Sequence, residues 1–221
     1  FLNESPRRRE LSFRLINSTL HYAKGWEADF VVTHLVWKDD SKNRKKVMSL
    51  VSNTRSLFCE LSDKYDVPIN IEFGGYSGYF HKPIQFVEFV SEHPLLGICI
   101  DIGHTFLIAK VRNRNFLNDI ETMAPHTKSI HVWNTKDLNH CKKHNHVPVH
   151  PSQKISNGWI DIKKTLEIIL SCNKDCDIVF EYNHTYYDKI PDQVKEGMEW
   201  VKDIVYSNKE KPKTFSETHR S

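Results

Sequence analysis

Five short apolar runs, separated by amphipathic segments of helical spacing, constrain this chain more than any other feature. The runs are ADFVVTHLV (28–36), PINIEF (68–73), LGICIDIGH (96–104), SIHVWN (129–134) and CDIVFEYN (176–183). Each reads as a buried parallel strand, because a strand covered on both faces needs no polar alternation. The segments at 7–26, 42–65, 82–93, 114–126 and 160–172 each place apolar residues at helical intervals ahead of one run, and 190–207 supplies a closing helix. Strict alternation of helix and strand predicts an α/β architecture with a parallel sheet and right-handed connections. The expected domain covers 1–207, followed by a polar, loose tail over 208–221.

An open doubly wound sheet and a closed barrel both fit that alternation, and both put functional groups at the C-terminal strand ends. The polar residues separate them. Every run carries a metal-competent or proton-transferring residue near its end: His34, Glu72, Asp101, His131 and Glu181. A doubly wound sheet gathers ligands only near its switch point, whereas a ring of such residues from all strands requires a barrel. Five strands do not close an eight-stranded barrel, and the first 27 residues read as a loop and a helix with no strand before them. The expectation is a (β/α)8 TIM barrel with about two N-terminal strands missing from this chain.

Bulk properties exclude several classes. With 31 basic and 28 acidic residues the formal net charge is +3, too balanced to argue for nucleic acid on charge alone. Five cysteines at irregular spacing form no disulfide framework, which fits a reducing cytosol and a cytoplasmic protein. No apolar run approaches the ~18 residues of a membrane span, and no signal peptide is visible. A homo-oligomer is compatible with this composition.

The strand-end groups state their chemistry together better than singly. Glu72 sits inside an apolar strand, which is costly unless the carboxylate is paired or metal-bound. Asp101 lies between Ile100 and Ile102, and its alternative role is to cap a helix beginning near Thr105. His131 alone reads as a satisfied core histidine, and Glu181 alone as the partner of a lysine. Three carboxylates and one imidazole as a set suit a hard or borderline divalent cation, Mn²⁺, Co²⁺, Mg²⁺ or Zn²⁺. Such an ion also offsets the repulsion among the carboxylates.

INIEF, CIDIGHT, SIHVWN, GWIDI and VFEYN, in that order, resemble the xylose-isomerase-like TIM-barrel superfamily over roughly residues 6 to 205. That superfamily includes sugar isomerases and epimerases and the endonuclease IV type of abasic-site nuclease. The resemblance implies metal ligation by Glu72, Asp101, His131 and Glu181. It implies a substrate contact or further metal ligand at His104, and it matches His34 to a nuclease histidine. In the nuclease Asp-x-His pair, Pro148 replaces the aspartate and only His150 remains. His150, with Gln153 beside it, is the member of HNHVPVHPSQ (144–153) expected to contact substrate or a second metal. Trp133, Trp159, Tyr76 and Tyr79 are candidates for an apolar wall against a sugar ring.

The function implied is metal-dependent isomerisation or epimerisation of a sugar or sugar-like hydroxy-carbonyl compound. Glu72 and Glu181 would move the proton, with His104 orienting a substrate oxygen. The alternatives are an endonuclease IV-like phosphodiesterase acting on abasic DNA and a non-catalytic barrel relic. For the nuclease, the basic runs KNRKK (42–46) and KKH (142–144) form no convincing rim for a DNA backbone.

Overall fold

The computed structural model describes residues 1–35, 43–74 and 77–209. Val36, Lys42, Tyr76 and the segment from Glu210 onward, which figure in the expectations above, lie outside the described residues. Five parallel strands pair in chain order, β1 (Val31–His34), β2 (Ile69–Glu72), β3 (Leu96–Asp101), β4 (Thr127–Val132) and β5 (Asp177–Phe180). The helices are α1 (Pro6–Gly25), α2 (Arg44–Tyr65), α3 (Pro83–Val90), α4 (Ile102–Val111), α5 (Phe116–Met123), α6 (Leu138–His144), α7 (Ile162–Cys172), α8 (Thr185–Lys189) and α9 (Pro191–Lys209). The closing helix runs to Lys209, two residues into the tail expected over 208–221. Among the described residues β1 and β5 each have one strand neighbour, so the sheet is a half-barrel.

Helix starts follow local chemistry. Asn43, Asp101, Asn115, Asp137 and Asp161 each precede a helix, and each side chain accepts the backbone N–H three residues on. Such capping satisfies amides that have no partner within the helix. It also corrects one expectation. The run 96–104 was expected to stay extended through His104, but the strand ends at Asp101 because that carboxylate nucleates α4. Helices α6 and α8 were not expected, since each is short and neither carries a long amphipathic repeat.

The strands are less uniformly apolar than their sequence suggests, and the register explains why. Ile69, Ile71, Ile98, Ile100, Ile130, Val132, Ile178 and Phe180 align on one face of the sheet, against the helices and within the core. The opposite face carries His34, Asn70, Glu72, Cys99, Asp101, Ser129 and His131. Side chains alternate across a strand, so isoleucines at every second position supply one wall and leave the other free for polar groups. On that polar face the Asn70 amide nitrogen donates to Ser129 Oγ across β3, at 3.0 Å.

Helix α9 packs onto the loop before α7 so closely that a β-carbon on Gly197 would overlap the Val149 carbonyl oxygen. An alanine normally stabilises a helix interior relative to glycine by about 1 kcal/mol. Gly197→Ala is expected to reverse that sign and lower stability by about 1–3 kcal/mol through overpacking, read as a lower midpoint in urea unfolding.

Candidate metal centre

Register brings the C-terminal ends of the strands to one rim. His34 aligns with Glu72, and Asp101 aligns with His131. Glu181 lies one residue past β5, its N–H bonded to the Val132 carbonyl. His131 is the hub. Its Nδ1 lies 3.2 Å from Glu181 Oε2, 3.4 Å from Glu72 Oε2 and 4.0 Å from Asp101 Oδ2. Contact between the ends of β2 and β4, across β3, is what a concave polar face produces. Donor atoms fall into two overlapping triads, Glu72–Asp101–His104 and Asp101–His131–Glu181, each with one donor per residue within 4.8 Å of the others.

Exposure grades from floor to mouth: Asp101 is fully buried, Glu72 nearly so, and Glu181 is 42% exposed. Asp101 is the most constrained of them. Its Oδ1 accepts the His104 amide at 2.6 Å, and the indole N–H of Trp133 donates to both oxygens at 2.9 and 2.8 Å. The helix-cap role and the ligand role raised for Asp101 are thus compatible, because a carboxylate has lone pairs to spare after these donors. Trp133 is fully buried. Its ring stacks on His146, with centroids 4.0 Å apart and planes at 13°. A β-carbon on Gly103 would overlap that indole. Only glycine there lets the tryptophan reach the aspartate.

Electrostatics follow from crowding four titratable groups. Burial and then the Glu72 charge push the Asp101 pKa well above the carboxylate range. Burial would raise Glu72 too, but contacts with His131 and His34 outweigh it and hold Glu72 down at about 2. Its Oε1 lies 2.8 Å from His34 Nε2. Burial opposes charge on His131, yet the Cys99 sulfur and the Glu181 and Glu72 carboxylates raise its pKa strongly. Cys99 is itself buried, with its pKa raised, so it stays a thiol and the carboxylates carry this effect. Without an ion, the site is therefore built around an imidazolium held between the Glu72 and Glu181 carboxylates, with the Asp101 carboxyl below them.

His131 Nδ1 and Glu181 Oε2 are near neighbours, yet both are buried without hydrogen-bond geometry to any partner among the described residues. Once His131 gives up its proton, its Nδ1 and Glu181 Oε2 are two neighbouring Lewis donors, and with Glu72 and Asp101 they make a donor set that fits a divalent cation. His104 is different: burial pushes its pKa down to about 4, so it is neutral at pH 7. Its ring lies 5.2 Å from both Trp133 and His146.

The remaining sequence candidates sit farther out. His150 Nδ1 is 2.7 Å from Ser152 Oγ, and its Nε2 is 3.2 Å from Glu196. Gln153 accepts from Asn134 Nδ2 and the His150 amide and donates to the Pro148 carbonyl, which locks the loop. Trp159 packs against His140, with Lys136 over its face. Sequence reasoning missed His146. Its Nδ1 lies 3.7 Å from Glu181 Oε1. The run HNHVPVH (144–150) pointed to that loop, but nothing in its spacing singled out the middle histidine as the one that turns inward.

A model of the family described as xylose isomerase-like TIM barrel matches residues 1–204. The chain belongs to this family. A D-tagatose 3-epimerase-like protein aligns at 20% identity over 95% of this chain and 74% of its own, with a TM-score of 0.65. An IolI protein with a bound zinc atom aligns at 15% identity over 94% and 75%, with a TM-score of 0.70. A xylose isomerase-like TIM barrel protein from Mycobacterium smegmatis, in complex with magnesium, aligns at 14% identity over 92% and 70%, with a TM-score of 0.64. At these identities the likeness establishes the fold. Comparison with curated proteins finds no match. Among the described residues, no helix of this xylose isomerase-like chain is long and apolar enough to cross a membrane.

The low pKa of His104 has a stability consequence. An unfolded histidine binds a proton below about pH 6.5, whereas the folded one resists down to about pH 4. Between these values the unfolded state holds more protons, so stability falls as pH drops through that window. Chemical unfolding of metal-free protein at pH 7 and pH 5 is expected to show this loss, and His104→Asn is expected to shrink it.

Proposed function

We propose that this chain is a divalent-metal-dependent isomerase or epimerase acting on a sugar or sugar-like hydroxy-carbonyl compound. The observation that carries the reading is the convergence of Glu72, Asp101 and Glu181 on His131 at the rim of the polar face. Membership of the xylose isomerase-like family supports it, as do the epimerase-like neighbour and the neighbours with zinc and magnesium.

Glu72, Asp101, His131 and Glu181 would hold the ion. A bound divalent ion supplies Lewis-acid polarisation of a carbonyl group. Glu72 and Glu181 flank His131 from β2 and from the end of β5, so a substrate carbon between them would meet a carboxylate on either side. One carboxylate removes the proton and the other returns it. Glu181, more exposed and lowered in pKa chiefly by its contact with His131, is ionised and ready to accept. His104 is neutral and can donate a hydrogen bond to a substrate oxygen without carrying charge. Trp133 acts behind the site, fixing Asp101 through its indole N–H. In this reading the enzyme works in the cytoplasm on a small molecule, as its free cysteines also suit. The phosphodiesterase alternative draws less support, because Pro148 stands at the aspartate position and His150 is engaged with Ser152 and Glu196.

Three outcomes test the reading. Glu181→Gln is expected to lower turnover by about 10²–10⁴-fold with an unchanged circular dichroism spectrum; normal turnover across a panel of ketoses would remove Glu181 from the mechanism. Trp133→Phe keeps an aromatic ring in place but deletes the donor to Asp101. It is expected to weaken divalent-ion affinity by about 10–100-fold, measured by isothermal titration calorimetry. Finally, His131 must surrender its proton to bind an ion, so affinity is expected to fall as pH is lowered; titrations at pH 6 and pH 8 giving equal affinity would contradict the centre's proposed composition.

A further inference from the structure

Away from the metal centre, a cleft of about 320 Å³ opens between the loop leading into α3, the end of α4, and α5. Lys82, Arg112 and Arg114 line it, with His81 beside them and Asp119 as the lone carboxylate. Asp119 is taken up by Arg114, Oδ2 to Nε at 2.8 Å. Among the described residues no carboxylate pairs with Lys82 or Arg112.

The two guanidinium groups are held in place but not consumed. Arg112 donates one Nη2–H to the Ser77 carbonyl at 2.9 Å, which leaves the rest of its fork unspent. Arg114 spends Nε on Asp119, and its Nη1 approaches His81 Nδ1 and the His81 carbonyl at 3.3 and 3.4 Å. Its Nη2 is buried and has no hydrogen-bond partner among the described residues. A buried donor without a partner is costly, and a guanidinium fork matches the oxygens of a phosphate. Like charges this close also oppose one another. The His81 pKa is lowered by burial and then by Arg112, Arg114 and Lys82. Asn118 and Thr122 add neutral polar groups, and the apolar part of the lining is Pro83 at the start of α3 with Ile84, 48% exposed, beside it.

We propose that this cleft binds a phosphate monoester, its dianionic head on Lys82, Arg112 and Arg114 and its organic portion against Pro83 and Ile84. Three cations against one engaged carboxylate favour a dianion over a monoanion, and the apolar side favours an ester over the free ion. No residue of the cleft belongs to the metal centre, so this site stands or falls independently of the proposed reaction.

Calorimetric titration of metal-free protein with glucose 6-phosphate, inorganic phosphate and glucose tests the proposal. Glucose 6-phosphate should bind saturably, phosphate about tenfold more weakly, and glucose not at all. Lys82→Ala and Arg112→Gln should each weaken glucose 6-phosphate about tenfold, the effect of about 1.4 kcal/mol, while Glu181→Gln should leave it unchanged. Arg112 also anchors the Ser77 loop, so the Lys82 variant decides the matter if the other fails to fold. Unchanged affinity in Lys82→Ala, loss of binding in Glu181→Gln, no saturable binding at millimolar ligand, or equal affinity for phosphate and glucose 6-phosphate would each overturn the assignment.

Discussion

Three carboxylates share a small volume at one rim of the sheet, and the rest of the site is arranged to make that tolerable. Isolated, each buried carboxylate would be strongly disfavoured. Without metal, the imidazole of His131 takes up the positive role, close to Glu72 and Glu181 and within 4.0 Å of Asp101. With metal, the same atoms offer the oxygen and nitrogen donors that a divalent ion requires. A proton and an ion would compete for that one position, so metal affinity at the proposed centre would depend on pH.

Asp101 shows how fold and chemistry depend on one residue. Its carboxylate ends a strand, starts a helix, receives an indole N–H and faces His131. Trp133 reaches it because Gly103 has no β-carbon and because His146 supplies a flat surface on the other side of the ring. Exposure rises outward through His131 to Glu181, so rigidity lies at the floor of the centre and access at its mouth. In the proposed function, that gradient would let the deep ligands hold position while the outer carboxylate meets substrate.

The cationic cleft contrasts with this centre in charge and in construction. The candidate metal centre gathers acidic groups at strand ends, where parallel register forces neighbouring side chains together. The cleft gathers cations from a loop and from the ends of helices, where register plays no part. Its arginines are each anchored by a single strong contact, to the Ser77 carbonyl and to Asp119.

Much of this was written locally in the chain. Apolar runs alternating with helical segments determined a parallel α/β sheet, and the capping residues Asn43, Asn115 and Asp161 marked helix starts by their own side-chain chemistry. The order of Glu72, Asp101, His131 and Glu181 at run ends was legible, because strand direction alone places those ends on one rim. What the linear pattern did not carry was sidedness and reach. Whether Ile98 or Cys99 faces the helices depends on register with neighbouring strands. That Trp133 turns inward to hold Asp101, and that His146 rather than His150 approaches Glu181, depends on loop paths and close packing, which only the tertiary structure decides.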